Sequence, residues 1–179
     1  MPSILGLSGS LREASYNSGL LRAAADAAPD GTTIQIGSIR DVPLYDGDLE
    51  KAEGLPAAVR RLQDQLDSAD ALLLVTPEYN KSIPGVFKNA IDWMSRGDGL
   101  KIFTGKQVAL MGASISGFGT VLSQNAWLPV LRGLKMQVWA GGQLTVSRAA
   151  EKFSDDGSLT DDDTREQLRK FVADFSDSL

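Results

Sequence analysis

Short apolar runs rich in β-forming residues alternate along the chain with longer segments in which apolar residues recur every three or four positions. Runs of the first type predict strands, and segments of the second type predict amphipathic helices. The third run, Ala71–Val75, is apolar at every position. This pattern is typical of a central parallel strand that helices cover on both faces. The candidate strands are residues 3–7, 33–39, 71–76, 107–111 and 136–140.

Five helices are predicted between and after these strands. In the last of them, Thr160 is a predicted N-cap, and Glu166 and Lys170 have the spacing of an i,i+4 ion pair. Residues 41–54 are predicted to form a surface connection without regular structure. The candidate helices are residues 17–28, 56–68, 84–94, 120–134 and 161–175.

This alternation of strands and helices predicts an α/β fold. A chain of 179 residues is expected to form one domain, residues 1–179. Right-handed crossovers between parallel strands then give a doubly wound sheet of five strands with helices on both faces. We expect the flavodoxin-like strand order 2-1-3-4-5 for this sheet. Ligands bind such sheets at the carboxyl ends of the strands, where the strand order reverses. The loops after Leu7, Thr76 and Met111 are therefore the candidate binding site.

The amino-acid composition excludes several kinds of chemistry. The chain has no Cys and no His, so it has no disulfide, thiol nucleophile, histidine-bound metal or imidazole base. If the chain is an enzyme, we expect a bound cofactor to carry the difficult step.

The net charge of −5 argues against nucleic acids and anionic membranes as partners. No apolar run approaches the roughly 18 residues of a membrane span, and no secretory signal is recognisable, so a cytoplasmic location is expected.

The loop after the first strand carries groups that bind anions. The hydroxyls of Ser10 and Ser15, the guanidinium of Arg12, the amide of Asn17 and the free N–H groups of a helix start can converge on one phosphate. The alternative is a simple capping turn in which Ser15 or Asn17 caps the helix and Arg12 is solvated. The position of this loop, where the strand order reverses, favours the phosphate site.

The loops after the third and fourth strands carry weaker signals. Pro77 and Pro84 restrict both ends of the loop after the third strand, so its backbone amides can present a fixed edge to a flat heterocycle. An ordinary surface loop with Glu78 solvated is an equal alternative. The loop of residues 112–120 has three glycines, which permit close approach of a ligand to the backbone, or only a flexible turn.

Taken together, these three loops resemble those of NAD(P)H-dependent FMN reductases. This flavodoxin-like family includes quinone and chromate reductases and azoreductase-type enzymes. The resemblance extends over residues 3–146. One departure lies in residues 114–120, where many relatives have a more glycine-rich loop that contains Arg, and this leaves the preference for nicotinamide and acceptor open. The motifs that carry the resemblance are Gly9-Ser10-Leu11-Arg12 with Ser15 and Asn17, Pro77-Glu78-Tyr79-Asn80, Ile83-Pro84-Gly85 with Lys88-Asn89 and Ile91-Asp92-Trp93, and Gly112-Ala113-Ser114.

The resemblance implies a bound FMN, NAD(P)H as co-substrate, and specific roles for the loop residues. It places Ser114 near the ribityl chain or the ring edge. The residues implied for the FMN phosphate are Ser10, Arg12, Ser15 and Asn17. Those implied for the isoalloxazine, largely through backbone groups, are Pro77, Glu78, Tyr79 and Asn80.

The implied activity is hydride transfer from NAD(P)H through FMN to a quinone, a flavin, an azo compound or a metal oxyanion such as chromate. No catalytic side chain is expected, because N5 of the flavin carries the chemistry. The family also implies a homodimer or homotetramer. Lys81 and Arg96 are candidates for attracting the phosphates of NADPH or an anionic acceptor, although lone surface cations are usually only solvated.

Three other functions compete with this interpretation. A flavodoxin-type carrier shares the fold and the FMN but passes single electrons to a protein partner, and a non-catalytic flavin-binding protein shares both as well. A receiver-type signalling domain shares the architecture. It requires acidic residues at the ends of strands one and three, where this chain has Ser8 and Thr76, so this third alternative is weak.

Overall fold

The computed structural model describes all 179 residues, and its core is a sheet of parallel strands. Neighbouring strands follow the order β2-β1-β3-β4-β5, and β6 also pairs with β4. The predicted order 2-1-3-4-5 is confirmed. The strands are β1 (Ser3–Ser8), β2 (Thr33–Gly37), β3 (Ala71–Val75), β4 (Gln107–Ala113), β5 (Gln137–Val138) and β6 (Leu144–Val146).

The chain has seven α-helices, and helices cover both faces of this sheet. The longest has 16 residues, and no helix is both long and apolar enough to cross a bilayer. A short 3₁₀ turn, Ala149–Glu151, follows β6. The helices are α1 (Tyr16–Asp26), α2 (Gly47–Glu53), α3 (Ala57–Ser68), α4 (Gly85–Met94), α5 (Gly99–Phe103), α6 (Val121–Gly133) and α7 (Asp162–Asp177).

Successive residues of β3 enter two separate hydrophobic cores. Ala71, Leu73 and Val75 pack with α1 and α7. Leu72 and Leu74 pack on the opposite face with α3, α4, α5 and α6. All five residues are therefore buried, because side chains alternate across a sheet that has helices on both sides. This explains the uninterrupted apolar run in the sequence.

The predicted fifth strand, residues 136–140, is divided in the structure. β5 has two residues and pairs with the first half of β4, and the N–H of Trp139 makes the last bond, to the carbonyl of Val108 at 2.9 Å. The chain then leaves the sheet at Gly141 and Gly142 and returns as β6, which pairs with the second half of β4. Two short strands thus occupy the position at which one strand was predicted.

The prediction that residues 41–54 have no regular structure is wrong, because α2 lies within them. Asp46 caps this helix by accepting from the N–H of Asp48 at 2.8 Å, and Gly54 ends it at φ 75°. None of its residues is buried, so it lacks the apolar stripe by which amphipathic helices are recognised. The five-residue α5 is also absent from the prediction, since it is too short to show a period.

Two details of α7 differ from the prediction. Thr160 is not its cap, because its hydroxyl donates to the carbonyl of Lys152 at 3.0 Å. Asp161 caps the helix instead. Glu166 does not pair with Lys170; it pairs with Arg169 at 2.6 Å, and Lys170 pairs with a carboxylate one turn further along the helix.

Candidate functional site

The loops after β1, β3 and β4 leave the sheet at its carboxyl edge. We call them the first loop (residues 9–15), the second loop (residues 76–84) and the third loop (residues 114–120). The first and second loops begin side by side, since the N–H of Gly9 donates to the carbonyl of Val75 at 2.9 Å. This is the edge that the strand order predicts for a ligand.

The side chain of Asn17 fastens the start of α1 to the end of β4. Its Nδ2 donates to the carbonyl of Ala113 at 2.9 Å, and its Oδ1 accepts from the N–H of Ala113 at the same distance. Asn17 is 4% exposed, so this pair of hydrogen bonds is buried. The Asn17 side chain therefore positions the third loop relative to the first. Its backbone N–H remains available to a ligand.

The turn into α1 presents a row of unused hydrogen-bond donors. The backbone N–H groups of residues 13–17 have no acceptor in the protein. Ser15 caps the helix, and its Oγ accepts from the N–H of Ser18 at 3.3 Å. The N-terminus of a helix carries partial positive charge and binds anions. Five adjacent donors at such a terminus fit the oxygens of a phosphate group.

Arg12 adds a full positive charge beside these donors. Its guanidinium donates to the carbonyl of Ala14 at 3.3 Å and lies over the ring of Tyr16, 5.7 Å from the ring centre. It belongs to none of the ion pairs in the structure. Ser10 shapes the turn, since its Oγ accepts weakly from the N–H of Arg12 at 3.4 Å. The first loop thus combines hydroxyl, guanidinium and amide donors.

The second loop contains a tight turn that the sequence analysis did not predict. Tyr79 and Ser82 exchange two backbone hydrogen bonds of 3.0 and 3.1 Å. Between them, Asn80 and Lys81 both have positive φ, at 50° and 63°, which is the signature of a type I′ turn. The N–H groups of Glu78, Asn80 and Lys81 have no acceptor in the protein. These donors are available to the polar edge of a flat ligand.

Glu78 joins the second loop to the start of α6. Its Oε2 accepts from the N–H of Leu122 at 3.0 Å and from the N–H of Ser123 at 3.1 Å. A carboxylate is favourable at this position because the helix start carries partial positive charge. The Glu78 side chain thus caps α6. The backbone N–H of Glu78, in contrast, has no acceptor in the protein.

Buried polar bonds hold the base of the second loop. The hydroxyl of Thr76 donates to the carbonyl of Pro77 at 2.9 Å, lies 2.9 Å from the hydroxyl of Ser123, and accepts from Nε1 of Trp127 at 3.1 Å. These buried partners of Thr76 are not predicted in the sequence analysis. The signal available in the sequence was a threonine directly after a fully apolar strand, which requires buried partners.

Ser114 begins the third loop and maintains its shape. Its N–H donates to the carbonyl of Val146 at 2.9 Å, and its carbonyl accepts from the N–H of Ala149 at 3.0 Å. Its hydroxyl is bonded to Ser116 of the same loop. Ser114 therefore follows the carboxyl end of β4, and its hydrogen bonds are to the chain itself.

Large apolar side chains are exposed on the second and third loops. Phe118 is 80% exposed, Ile115 is 71% exposed and Tyr79 is 48% exposed. Tyr79 lies on the second loop, among three of the unused N–H groups, and Ile115 and Phe118 lie on the third loop. An exposed apolar group of this kind is typical of a binding or assembly surface.

The two cations singled out in the sequence have different surroundings. Arg96 pairs with Glu50 at 3.3 Å and lies over the ring of Tyr45, so its charge already has a partner. The hydrogen bond from Tyr45 to Glu50 raises the pKa of the Tyr45 phenol above its ordinary value. Lys81 lies in the type I′ turn and belongs to no ion pair.

Comparison with known proteins identifies the family. Residues 2–151 match the family described as NADPH-dependent FMN reductase. The chain is 42% identical over 167 residues to an NAD(P)H-dependent FMN reductase of Pseudomonas aeruginosa, covering 93% of this chain and 89% of that protein. It is 38% identical over 174 residues to a quinone reductase of Pseudomonas putida, covering 97% of this chain and 92% of that one.

A solved structure agrees with these matches. The flavoenzyme NAD(P)H:(acceptor) oxidoreductase FerB of Paracoccus denitrificans superimposes with a TM-score of 0.86 at 34% identity, covering 99% of this chain and 96% of that one. The resemblance in the loop motifs, the sheet order and the whole-chain similarity all agree. The chain therefore belongs to the NADPH-dependent FMN reductase family of oxidoreductases, whose cofactors are FMN and NAD(P)H.

Proposed function

We propose that the first loop binds the phosphate of FMN. The observation that carries this proposal is the row of five unused N–H groups, residues 13–17, with Arg12 beside them. Ser10 and Ser15 add hydroxyls, and Asn17 contributes through its backbone N–H, since its side chain is bonded to Ala113. Charge-assisted hydrogen bonds of this type contribute about 1.5 to 3 kcal/mol each.

The isoalloxazine ring is then held by the second loop, with Ser114 at its edge. Pro77 lies at the base of this loop, and the unused N–H groups of Glu78, Asn80 and Lys81 are available to the ring nitrogens and carbonyls. Bound FMN supplies the hydride chemistry between NAD(P)H and the acceptor. The chain binds and orients the ring, and its amide dipoles stabilise negative charge there. Tyr79 presents its exposed ring beside this position.

We propose quinones as the main acceptors. The exposed side chains of Tyr79 on the second loop and of Ile115 and Phe118 on the third loop are apolar, and contact with them favours flat apolar molecules over hydrated oxyanions. One relative at 35% identity is named 2-hydroxy-1,4-benzoquinone reductase. Azo compounds and free flavins are flat as well and are secondary candidates, and chromate is the least favoured of the acceptors.

We further propose one FMN-binding domain over residues 1–179, located in the cytoplasm. The support for a single domain is α7, which lies beyond the family match yet packs into the same core as α1 and β6. A homodimer or homotetramer is proposed because the family resemblance implies one and because apolar side chains are exposed on α4 and α6. These side chains are Val86, Leu122 and Leu128.

Titration of the purified protein with FMN and NADPH tests the function. We expect a yellow protein that loses its colour when NADPH is added and regains it when 1,4-benzoquinone follows, with repeated turnover. A protein that binds FMN but does not turn over with quinone would be a carrier or a non-catalytic binder. A protein that does not bind FMN would overturn the proposal. Light scattering with chromatography measures the oligomeric state independently.

A further inference from the structure

The hydroxyl of Thr76, at the base of the second loop, has all of its hydrogen-bonding capacity in use. It lies 2.9 Å from the carbonyl of Pro77, 2.9 Å from the hydroxyl of Ser123 and 3.1 Å from Nε1 of Trp127. A threonine hydroxyl has one proton to donate and two lone pairs that accept. Three contacts therefore saturate it, and the side chains of Thr76, Ser123 and Trp127 are all fully buried.

The chemistry of the three partners determines which of them receives the proton. The indole N–H of Trp127 can only donate, and the carbonyl of Pro77 can only accept. The Thr76 hydroxyl therefore accepts from Trp127 and donates to Pro77. In the remaining bond the hydroxyl of Ser123 is the donor. The reverse direction would leave the carbonyl of Pro77 without a donor, since it receives no other hydrogen bond from the protein.

This bond fixes the direction of the peptide unit between Pro77 and Glu78. No peptide bond in the chain is cis, and in a planar trans peptide the C=O and the N–H point in opposite directions. Because the carbonyl of Pro77 points to the buried hydroxyl of Thr76, the N–H of Glu78 points away from the buried cluster. This N–H is one of the unused donors of the second loop.

The residues on both sides of this peptide unit are anchored to other elements. The N–H of Thr76 donates to the carbonyl of Met111 on β4 at 2.8 Å. The carboxylate of Glu78 accepts from the N–H groups of Leu122 and Ser123 at the start of α6. Rotation of the peptide unit between these anchors would break the buried bond from the Thr76 hydroxyl. The N–H of Glu78 is thus held in one direction before any ligand binds.

We propose that Thr76 is a positioning residue that strengthens binding of the reduced cofactor relative to the oxidised one. The inference rests on the proposed function, in which the second loop holds the ring of FMN. Hydride transfer from NAD(P)H leaves NAD(P)⁺ and adds two electrons and one proton to the ring, which therefore gains one negative charge. A donor that is already oriented stabilises such a charge without reorganisation. The N–H of Glu78 therefore favours the reduced ring, and Thr76 acts only through this N–H.

The midpoint potential of bound FMN, compared with that of free FMN, measures this preference. Thr76→Val keeps the shape of the side chain but removes the hydroxyl, whereas Thr76→Ser keeps the hydroxyl. Thr104→Val is the matched control, because the Thr104 hydroxyl also donates to a backbone carbonyl, that of Leu100 at 2.9 Å, but lies just before the amino end of β4.

Urea unfolding shows whether each variant folds. If Thr76→Val does not fold, the triple variant Thr76→Val, Ser123→Ala, Trp127→Phe takes its place, because it also removes the two buried donors that would lose Thr76 as their acceptor. The double variant Ser123→Ala, Trp127→Phe is then its reference.

Thr76→Val is expected to lower the preference for reduced over oxidised FMN by about tenfold, which for a two-electron couple is a shift of about 30 mV to more negative potential. Thr76→Ser and Thr104→Val are expected to remain within about twofold of the wild type. A change below about twofold in Thr76→Val, or an equal shift in Thr76→Ser, overturns the proposal, because the hydroxyl is then not what orients the donor.

Failure of the proposed function has a different outcome. In that case the wild-type protein binds no FMN, and both proposals fail together. If the wild type binds FMN and turns over with quinone while the potential in Thr76→Val is unchanged, only the role of Thr76 is refuted.

Discussion

Replacement of Asn17 by Ala tests whether the first and third loops depend on one buried side chain. The variant removes both hydrogen bonds to Ala113, each 2.9 Å long, and leaves that residue's N–H and carbonyl without partners. A buried polar group that loses its partner costs about 1 to 3 kcal/mol. Two such groups predict a loss of about 2 to 6 kcal/mol, which is a large part of the roughly 5 to 15 kcal/mol that stabilises a domain.

Urea unfolding of the protein without FMN measures this loss. We expect the midpoint for Asn17→Ala to fall while the slope of the transition is unchanged. FMN affinity is expected to fall as well, because the third loop is no longer fastened to α1. Asn17→Asp keeps the acceptor for the N–H of Ala113 but places a carboxylate against its carbonyl, so it is expected to be destabilised too.

Asn125→Ala is the matched control, since Asn125 is an exposed residue of α6. We expect it to remain within about 0.5 kcal/mol of the wild type. A loss below about 1 kcal/mol for Asn17→Ala, or a loss equal to that of the control, would show that the paired hydrogen bonds do not maintain the loops.

Three further predictions concern single side chains. Arg12→Gln is expected to weaken FMN binding by about tenfold or more but to leave riboflavin binding unchanged, as measured by flavin fluorescence; equal losses for both flavins would contradict a phosphate role. Glu78→Ala removes the cap of α6 and should lower the unfolding free energy by about 0.5 to 2 kcal/mol, while Glu78→Gln, which keeps an acceptor oxygen, should lose less. A melting temperature unchanged in both variants would refute that capping role. The hydroxyl and the N–H of Thr164 donate to the carboxylate of Asp161 and lower its pKa below the ordinary value of 3.8. The carboxylate therefore stabilises the folded protein fully above pH 3.8, and this stabilisation is lost as the pH falls from there to the lower pKa of the folded state. The stability difference between wild type and Asp161→Asn should therefore narrow between about pH 6 and about pH 3, and a constant difference would contradict this.

The sequence was sufficient to predict the architecture, because the residue pattern that identifies each main strand or helix lies within that element. The apolar run of β3 required helices on both faces, and the alternation of strands and helices required parallel crossovers. Elements that bury nothing gave no such signal, which is why α2 was missed. The division of the fifth strand depends on where Gly141 and Gly142 release the chain from β4, and this is a tertiary property.

For the candidate site, the sequence predicted which loops meet but not what each side chain does. Asn17 lies at the start of α1, directly after the first loop, and Glu78 lies in the second loop, yet their side chains bond to backbone groups 96 and about 45 positions away in the chain. Partners that distant are not visible in a local motif.

The division of the outer strand into β5 and β6 has a consequence for behaviour in a crowded solution. A long, straight sheet border with unpaired amides is a template on which another extended polypeptide can add. Here the edge of the sheet beside β4 is formed by the two residues of β5 and the three residues of β6. Between them the chain leaves the sheet at two glycines. Fibre-like stacking of chains through this side is disfavoured, and we expect the protein to resist it even at high concentration.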